Sequence, residues 1–230
     1  MTRFLIVRLD AIPDHRDRLR AWLADEHLPS AAAVPGLGAG AVLYETVGTP
    51  TAVRRYPSEP HFTVVFPLDP DRDVADVVGD PAFIAWWVGA MKARFFWFER
   101  HKWVVCEQRM GPEGPFAHDR ILFTEVDVAA GHEADWGPWY ERFHVPDALA
   151  VPGLFGRELR RFESIDVRTE RFHCAARPRF LQLLPIQEGT NILTATQAPE
   201  FLSLAADTQA TWGGALSFLS TICERRAVTD

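Results

Sequence analysis

At 230 residues the chain is long enough for one large domain or two small ones, and its 47% hydrophobic content supplies a packed core. A net charge of −7 argues against nucleic acid and against an anionic membrane surface, both of which require a basic face. The three cysteines, Cys106, Cys174 and Cys223, form no CxxC pair and are odd in number, so neither a disulfide framework nor a zinc site is expected.

The chain opens with an apolar strand, FLIVRLD at 4–10. This stretch is too short and too charged for a signal peptide, and a reducing cytoplasm is the expected compartment. A turn at Pro13-Asp14 leads into a helix on which Leu19, Leu23 and His27 share one face. Pro29 is expected to stop that helix, because the residue before a proline avoids the helical region. Val34-Pro35-Gly36 redirects the chain into a second strand at 39–46. A polar loop with Pro50, Arg54, Arg55 and Pro57 occupies 47–60, and a third strand follows at 62–69. A very aromatic helix begins near Pro81; its stretch FIAWWVGAMKARFFWF (83–98) carries Lys92 and Arg94 and falls short of a membrane span. A fourth strand is expected at 101–108, then a Gly/Pro-rich linker at 109–119.

The same succession then recurs. A strand at 121–127 and a turn at Gly131-His132 precede a helix whose inward face carries Trp136, Tyr140 and His144, with Pro138 expected in its first turn. Pro146, the turn Val151-Pro152-Gly153, strands at 156–164 and 180–187, a helix from Pro199 and a strand at 219–226 complete it. Between 4–37 and 121–154 twelve of 34 positions are identical at a constant offset of 117, where chance gives about two. The order βαββαβ, twice, is that of an α+β ferredoxin-like unit. Each such sheet has one face without helices, and two units can bury those faces by closing on each other. The expectation is a pseudo-twofold α/β barrel within one chain, with units at 1–108 and 120–230. Further homodimerisation stays open.

The stretches WLADEHLPSAAAVPG (22–36) and WYERFHVPDALAVPG (139–153) resemble the EthD-like branch of the dimeric α/β-barrel superfamily. The second copy is the closer, since it keeps Tyr140 where the first has Leu23. The resemblance implies single units that pair, here fused, with pockets between sheet and helices. It implies a wide range of activities: polyketide cyclases, lactone isomerases, dehydratases, cofactor-free oxygenases, haem-degrading enzymes and plain ligand binders. Fold therefore does not choose the reaction.

His27 and His144 end the matched helices and are the first candidates for acid/base work, since imidazole titrates near neutrality. A histidine there can equally bond the last helix carbonyls. Tyr140 lies one turn before His144 and could hold a substrate oxygen. Tyr44, His61 and Trp86 are the candidate substrate-binding groups around His27. Arg157, Arg160 and Arg161 are expected on a solvated edge, and Asp10 and Asp127 at the turns after the first strands. The chain has no GxGxxG, Walker, GxSxG or HExxH motif. The expected function is a cofactor-free small-molecule enzyme (a lyase, isomerase or cyclase) acting next to a carbonyl on a hydrophobic or aromatic substrate. A non-catalytic binding or accessory protein is the alternative, and a haem protein a more distant one.

Overall fold

The computed structural model describes residues 2–53, 60–114, 118–153 and 158–229. Arg54, Arg55, Pro57 and Arg157 lie outside them. The elements in chain order are β1 (Arg3–Ala11), α1 (Arg16–Trp22), α2 (Leu28–Ser30), β2 (Val42–Val53), β3 (Phe62–Pro67), α3 (Val74–Gly79), α4 (Pro81–Ala93), β4 (Phe98–Met110) and β5 (Arg120–Val128). There follow α5 (Glu133–Trp139), α6 (Val145–Ala150), β6 (Arg160–Ser164), the short ribbon β7 (Val167–Arg168) and β8 (His173–Cys174), β9 (Phe180–Pro185), α7 (Ile192–Ala195), α8 (Pro199–Trp212) and β10 (Leu216–Val228). Among the described residues, no helix is long and apolar enough to cross a membrane.

Eight strands close an antiparallel barrel in the circular order β2-β3-β1-β4-β6-β9-β5-β10. Setting the β7–β8 ribbon aside, the pattern second, third, first, fourth strand occurs twice around the ring. The two seams, β4–β6 and β2–β10, join the N-terminal strands to the C-terminal ones. Closure leaves the barrel itself without a free edge.

Strand alternation divides the apolar residues into three clusters. Phe4, Ile6, Val104, Ile121, Phe123 and Leu183 point inward and fill the barrel. Their neighbours point outward: Leu5, Val7 and Val64 pack beneath the first-half helices, and Leu122, Val126 and Leu184 beneath the second-half helices.

The barrel interior also holds an ion pair. Arg8 Nη1 stands 3.1 Å from Glu125 Oε2, with both side chains almost fully buried. Arg8 Nη2 donates to Thr221 Oγ1 at 2.9 Å, its guanidinium lies over the Phe123 ring, and Lys102 Nζ reaches Glu125 Oε1 at 3.3 Å. Arg8 and Glu125 are 117 residues apart, so matched positions carry opposite charges. Each seam has its own pair. Arg226 Nε binds Glu45 Oε2 at 2.7 Å across β10–β2, and Arg109 Nε binds Glu163 Oε2 at 3.1 Å across β4–β6. The arginines are again 117 apart and the glutamates 118 apart.

Several sequence expectations are corrected. Pro29 and Pro146 do not end their helices. A π turn, Leu23–His27 in one half and Tyr140–His144 in the other, lets the chain continue into α2 and α6. Each proline then sits in the first turn of the next segment. Pro138 lies inside α5 rather than in its first turn. The position is tolerated because Pro138 and Ala134, whose carbonyl would otherwise be bonded, both face water. Arg160 and Arg161 are buried instead of lining a solvated edge, because β6 is flanked by β4 and β9. Arg160 Nη1 donates to the Gly114 carbonyl at 2.6 Å and Arg161 pairs with Glu141. β2 extends through the start of the expected polar loop, and β4 runs two residues into the expected linker. Asp127 also acts across the sheet, accepting from the Arg179 N–H at 2.8 Å. The repeated VPG has a direct reason. Gly36 and Gly153 adopt positive φ, and a Cβ on Gly36 would stand 2.5 Å from Val77 Cγ2.

Replacing Glu125 by Leu will leave Arg8 without its buried counter-charge and should lower stability by about 3–5 kcal/mol in urea unfolding. Replacing Arg8 and Glu125 together by Leu should cost much less than Glu125→Leu alone. Equal losses in the single and double variants would show that the pair does not couple.

Candidate functional site

The two histidines occupy matched places and meet opposite surroundings. His27 is buried, with its ring lying between those of Trp22 (centroids 4.5 Å apart) and Trp86 (4.3 Å, interplanar angle 7°). Trp87 and Phe66 complete the enclosure. Its Nε2 is buried without a hydrogen-bond partner among the described residues. Burial, reinforced by the nearby Arg94 guanidinium, lowers its pKa from the usual 6.5 to about 3. Ser30 donates to the His27 carbonyl at 2.7 Å, and Trp86 Nε1 donates to Ser30 Oγ at 2.8 Å. His27 is thus one layer in an aromatic stack and lines neither of the two hollows beside His144.

His144 opens onto a cavity of about 130 Å³ between the outer face of β5, β9 and β10 and the helices α5, α6 and α8. Its Nδ1 is 3.1 Å from Thr208 Oγ1. The Thr208 hydroxyl carries a single proton, which it donates to the Leu204 carbonyl at 2.9 Å. Nδ1 must therefore be the donor to Thr208, which fixes the neutral tautomer with its lone pair on Nε2. Nε2 makes no hydrogen bond among the described residues. Burial lowers the pKa of this imidazole from 6.5 to about 4, so it is uncharged at neutral pH. Tyr140 stacks on the ring (4.9 Å, 26°) from beneath. A second hollow of about 260 Å³, lined by Trp139, Phe143, Asp147 and Asp207, lies on the other side of His144, Leu204 and Thr208. Those three residues border both hollows.

The contrast between halves follows from strand register. In the second half Gln182, Thr124 and Ser220 are direct cross-strand neighbours on β9, β5 and β10. The corresponding neighbours on β3, β1 and β4 are Val64, Val7 and Trp103. On the helix above, Trp86 and Trp87 match Leu204 and Ala205 at the offset of 118. Trp87 and Trp103 pack face to edge, 3.9 Å apart, in the first half. Bulky aromatic rings there stand where small or polar groups line the cavity in the second half.

The other sequence candidates separate from this cavity. Tyr140 does not line it: its hydroxyl is buried without a partner, and burial pushes the phenol pKa up. Tyr44 does not approach His27. It lies inside the barrel, where its hydroxyl donates to the His118 carbonyl at 3.2 Å. His61 Nδ1 accepts the Ala11 N–H at 3.0 Å and ties the ends of β1 and β3 together, away from His27. Trp86 packs on His27 as core. Sequence reading missed Thr208, Gln182, Thr124 and Ser220. The signal available was the exchange of Val7 for Thr124 and of Val64 for Gln182 at matched positions of otherwise apolar strands.

No protein-family model and no curated protein sequence matches the chain. Solved structures do. The chain is similar to an anthrone oxidase-like protein, with TM-score 0.62 and 13% identity over 98% of this chain and 92% of that one. It is also similar to a candidate monooxygenase from Fusobacterium nucleatum, with TM-score 0.54 and 9% identity over 100% and 94%. A candidate chlorite dismutase matches with TM-score 0.53 and 10% identity over 98% and 96%. At these identities the likeness is one of fold: a closed eight-stranded α+β barrel.

The two depressed imidazoles make a pH prediction. An unfolded histidine takes up a proton below about pH 6.5, whereas folded His27 resists until about pH 3. Stability is therefore unaffected above pH 6.5 and falls as the pH drops toward 3. His27 should account for roughly 3 kcal/mol of that loss by pH 4. His27→Phe, which keeps a flat ring in the stack, should flatten the fall in Tm between pH 6.5 and 4. His144, lowered to about 4, should contribute a loss of its own in the same window. An unchanged slope in the variant would contradict the buried neutral imidazole.

Proposed function

We propose that the chain is two fused copies of a ferredoxin-like unit, residues 1–108 and 120–230 on either side of a linker, of which only the second keeps a working site. In this reading the protein is a small-molecule enzyme that removes and returns a proton next to a carbonyl. The observation that carries it is the neutral His144, held at Nδ1 by Thr208, with its Nε2 lone pair unengaged beside an apolar cavity. The cavity volume suits a single ring or a short branched chain. The strand order repeated around the barrel and the matched Arg–Glu pairs at both seams support the fusion.

The chemistry balances without an oxidant. Nε2 accepts a proton from the carbon beside the carbonyl, and the C–H electron pair moves into the carbonyl to give an enolate. The imidazolium returns its proton either to a different carbon, completing an isomerisation, or to a departing hydroxyl, completing a dehydration. Tyr140 keeps the imidazole plane in place from below and does not touch substrate. His27 serves packing in the first half.

Haem does not fit this site. A cavity of about 130 Å³ is close in size to one that holds benzene and cannot admit a tetrapyrrole. No Lys or Arg lines it to meet haem carboxylates. Names of similar structures, anthrone oxidase-like protein and candidate monooxygenase, fit an enzyme acting on small organic molecules.

Deuterium exchange next to the carbonyl of small cyclic ketones in D₂O tests the reading without knowledge of the natural substrate. Wild type should catalyse exchange with an acid limb near pH 4 rather than 6.5. His144→Ala should lower the rate about 100- to 10,000-fold. His27→Phe should leave it within about twofold, since that ring lies outside the cavity. Ketone binding without any exchange would favour a binding protein.

A further inference from the structure

The floor of the second-half cavity is polar where a folded core has no use for polarity. Gln182, Thr124 and Ser220 form one straight row across β9, β5 and β10. The next row on either side is apolar: Leu184, Leu122 and Ile222 on one, Phe180, Val126 and Phe218 on the other. All three polar residues are over nine-tenths buried. The first half shows what the same places require for folding alone, namely Val64, Val7 and Trp103. Buried polar groups without partners cost stability, so a polar row kept beneath a hollow calls for a ligand that satisfies it.

The bonding capacity of the row is specific. Thr124 Oγ1 and Ser220 Oγ are 2.9 Å apart, so one hydroxyl donates to the other and the second proton remains free to donate elsewhere. The Gln182 side chain lines the cavity and makes no hydrogen bond among the described residues. Its carboxamide offers N–H donors into the same space. No cationic residue lines the cavity, so the row suits an uncharged oxygen better than a carboxylate or phosphate.

We propose that Gln182, Thr124 and Ser220 form a recognition site for the carbonyl oxygen of a small cyclic or branched ketone, and that this row sets the specificity of the cavity. This deepens the reading of the second-half cavity as the ligand site, but it does not require His144 to move a proton. The row donates to the oxygen, the apolar rows hold the carbon skeleton, and Nε2 of His144 faces the ligand from the helix side. In the fixed tautomer Nε2 of His144 can only accept hydrogen bonds, and the Nδ1 proton is engaged by Thr208, so the ring contributes nothing to an acceptor-only ketone oxygen.

Calorimetric titration with cyclopentanone and cyclopentane tests this. Wild type should bind the ketone at least about tenfold more tightly than the hydrocarbon. The variant Gln182→Val/Thr124→Val/Ser220→Ala, which imitates the apolar first half, should reverse that order. The single variant Gln182→Leu should at least halve the preference if the triple variant does not fold. His144→Gln should keep the row's selectivity for the ketone. The proposal is overturned if folded wild type binds neither probe at millimolar concentration, binds both equally, or keeps its selectivity in the row variants. Selectivity that follows the row while deuterium exchange is absent sustains the recognition site and removes only the catalytic reading.

Discussion

Closure of the barrel is the constraint from which the rest of the structure follows. Once β2 pairs with β10 and β4 with β6, every strand has two partners and the interior is a finite space. Inward residues must fill it, and they do, with Phe4, Phe123 and Phe162 and an Arg8–Glu125 pair in place of a channel. A ligand site is therefore pushed to the outer face, between sheet and helices. The buried charges reinforce this. An arginine inside a barrel needs a carboxylate partner to offset its desolvation, and here the partner comes from the matched strand of the other half. Two chains each carrying Arg8 would oppose like charges at that place, so the pair makes the halves complementary rather than interchangeable.

The same asymmetry separates the surroundings of the two histidines. Trp22 and Trp86 stack on the His27 ring, Trp87 and Trp103 pack beside it, and burial together with the Arg94 guanidinium keeps that ring neutral. That half gains aromatic packing around its histidine. The second half carries Ala205 and Ser220 at two of those places and pays in packing for an open hollow under His144. In the proposed reading this is a division of labour, with one half packed and the other holding the site, which suits a single chain better than a symmetric dimer, in which each copy must do both.

Much of this was legible in the sequence. The constant offset, the strand–helix order and the pairing of Trp22 with His27 and of Trp139 with His144 are local patterns, and the barrel follows from them. The π turns were not legible, because Pro29 and Pro146 read as stops unless the hydrogen-bond register before them is known. Burial of Arg160 and Arg161 was hidden because it depends on which strand closes the seam. The site itself was only half visible. His144 announced itself by repetition, but Thr208, Gln182 and Ser220 come from three distant segments and carry no local signature. Tyr140 drew attention by its spacing from His144, and that spacing is real; it places the phenol under the imidazole rather than in the cavity.

The depressed pKa of His144 ties the helix side of the cavity to its floor. An imidazolium with a pKa of about 4 is a strong acid, so returning the proton to an intermediate is easy and removing it from carbon is hard. Each pKa unit between the base and the carbon acid adds about 1.4 kcal/mol to the cost of forming the enolate. A neutral base in an apolar pocket cannot meet that cost alone. In the proposed reaction, hydrogen bonds from Gln182 and the Thr124–Ser220 pair would strengthen as negative charge develops on the oxygen, and the surrounding low dielectric would enlarge their effect. Burial that weakens the base would therefore also strengthen the donors, and in the proposed reaction proton removal requires both sides of the cavity to act on the same molecule.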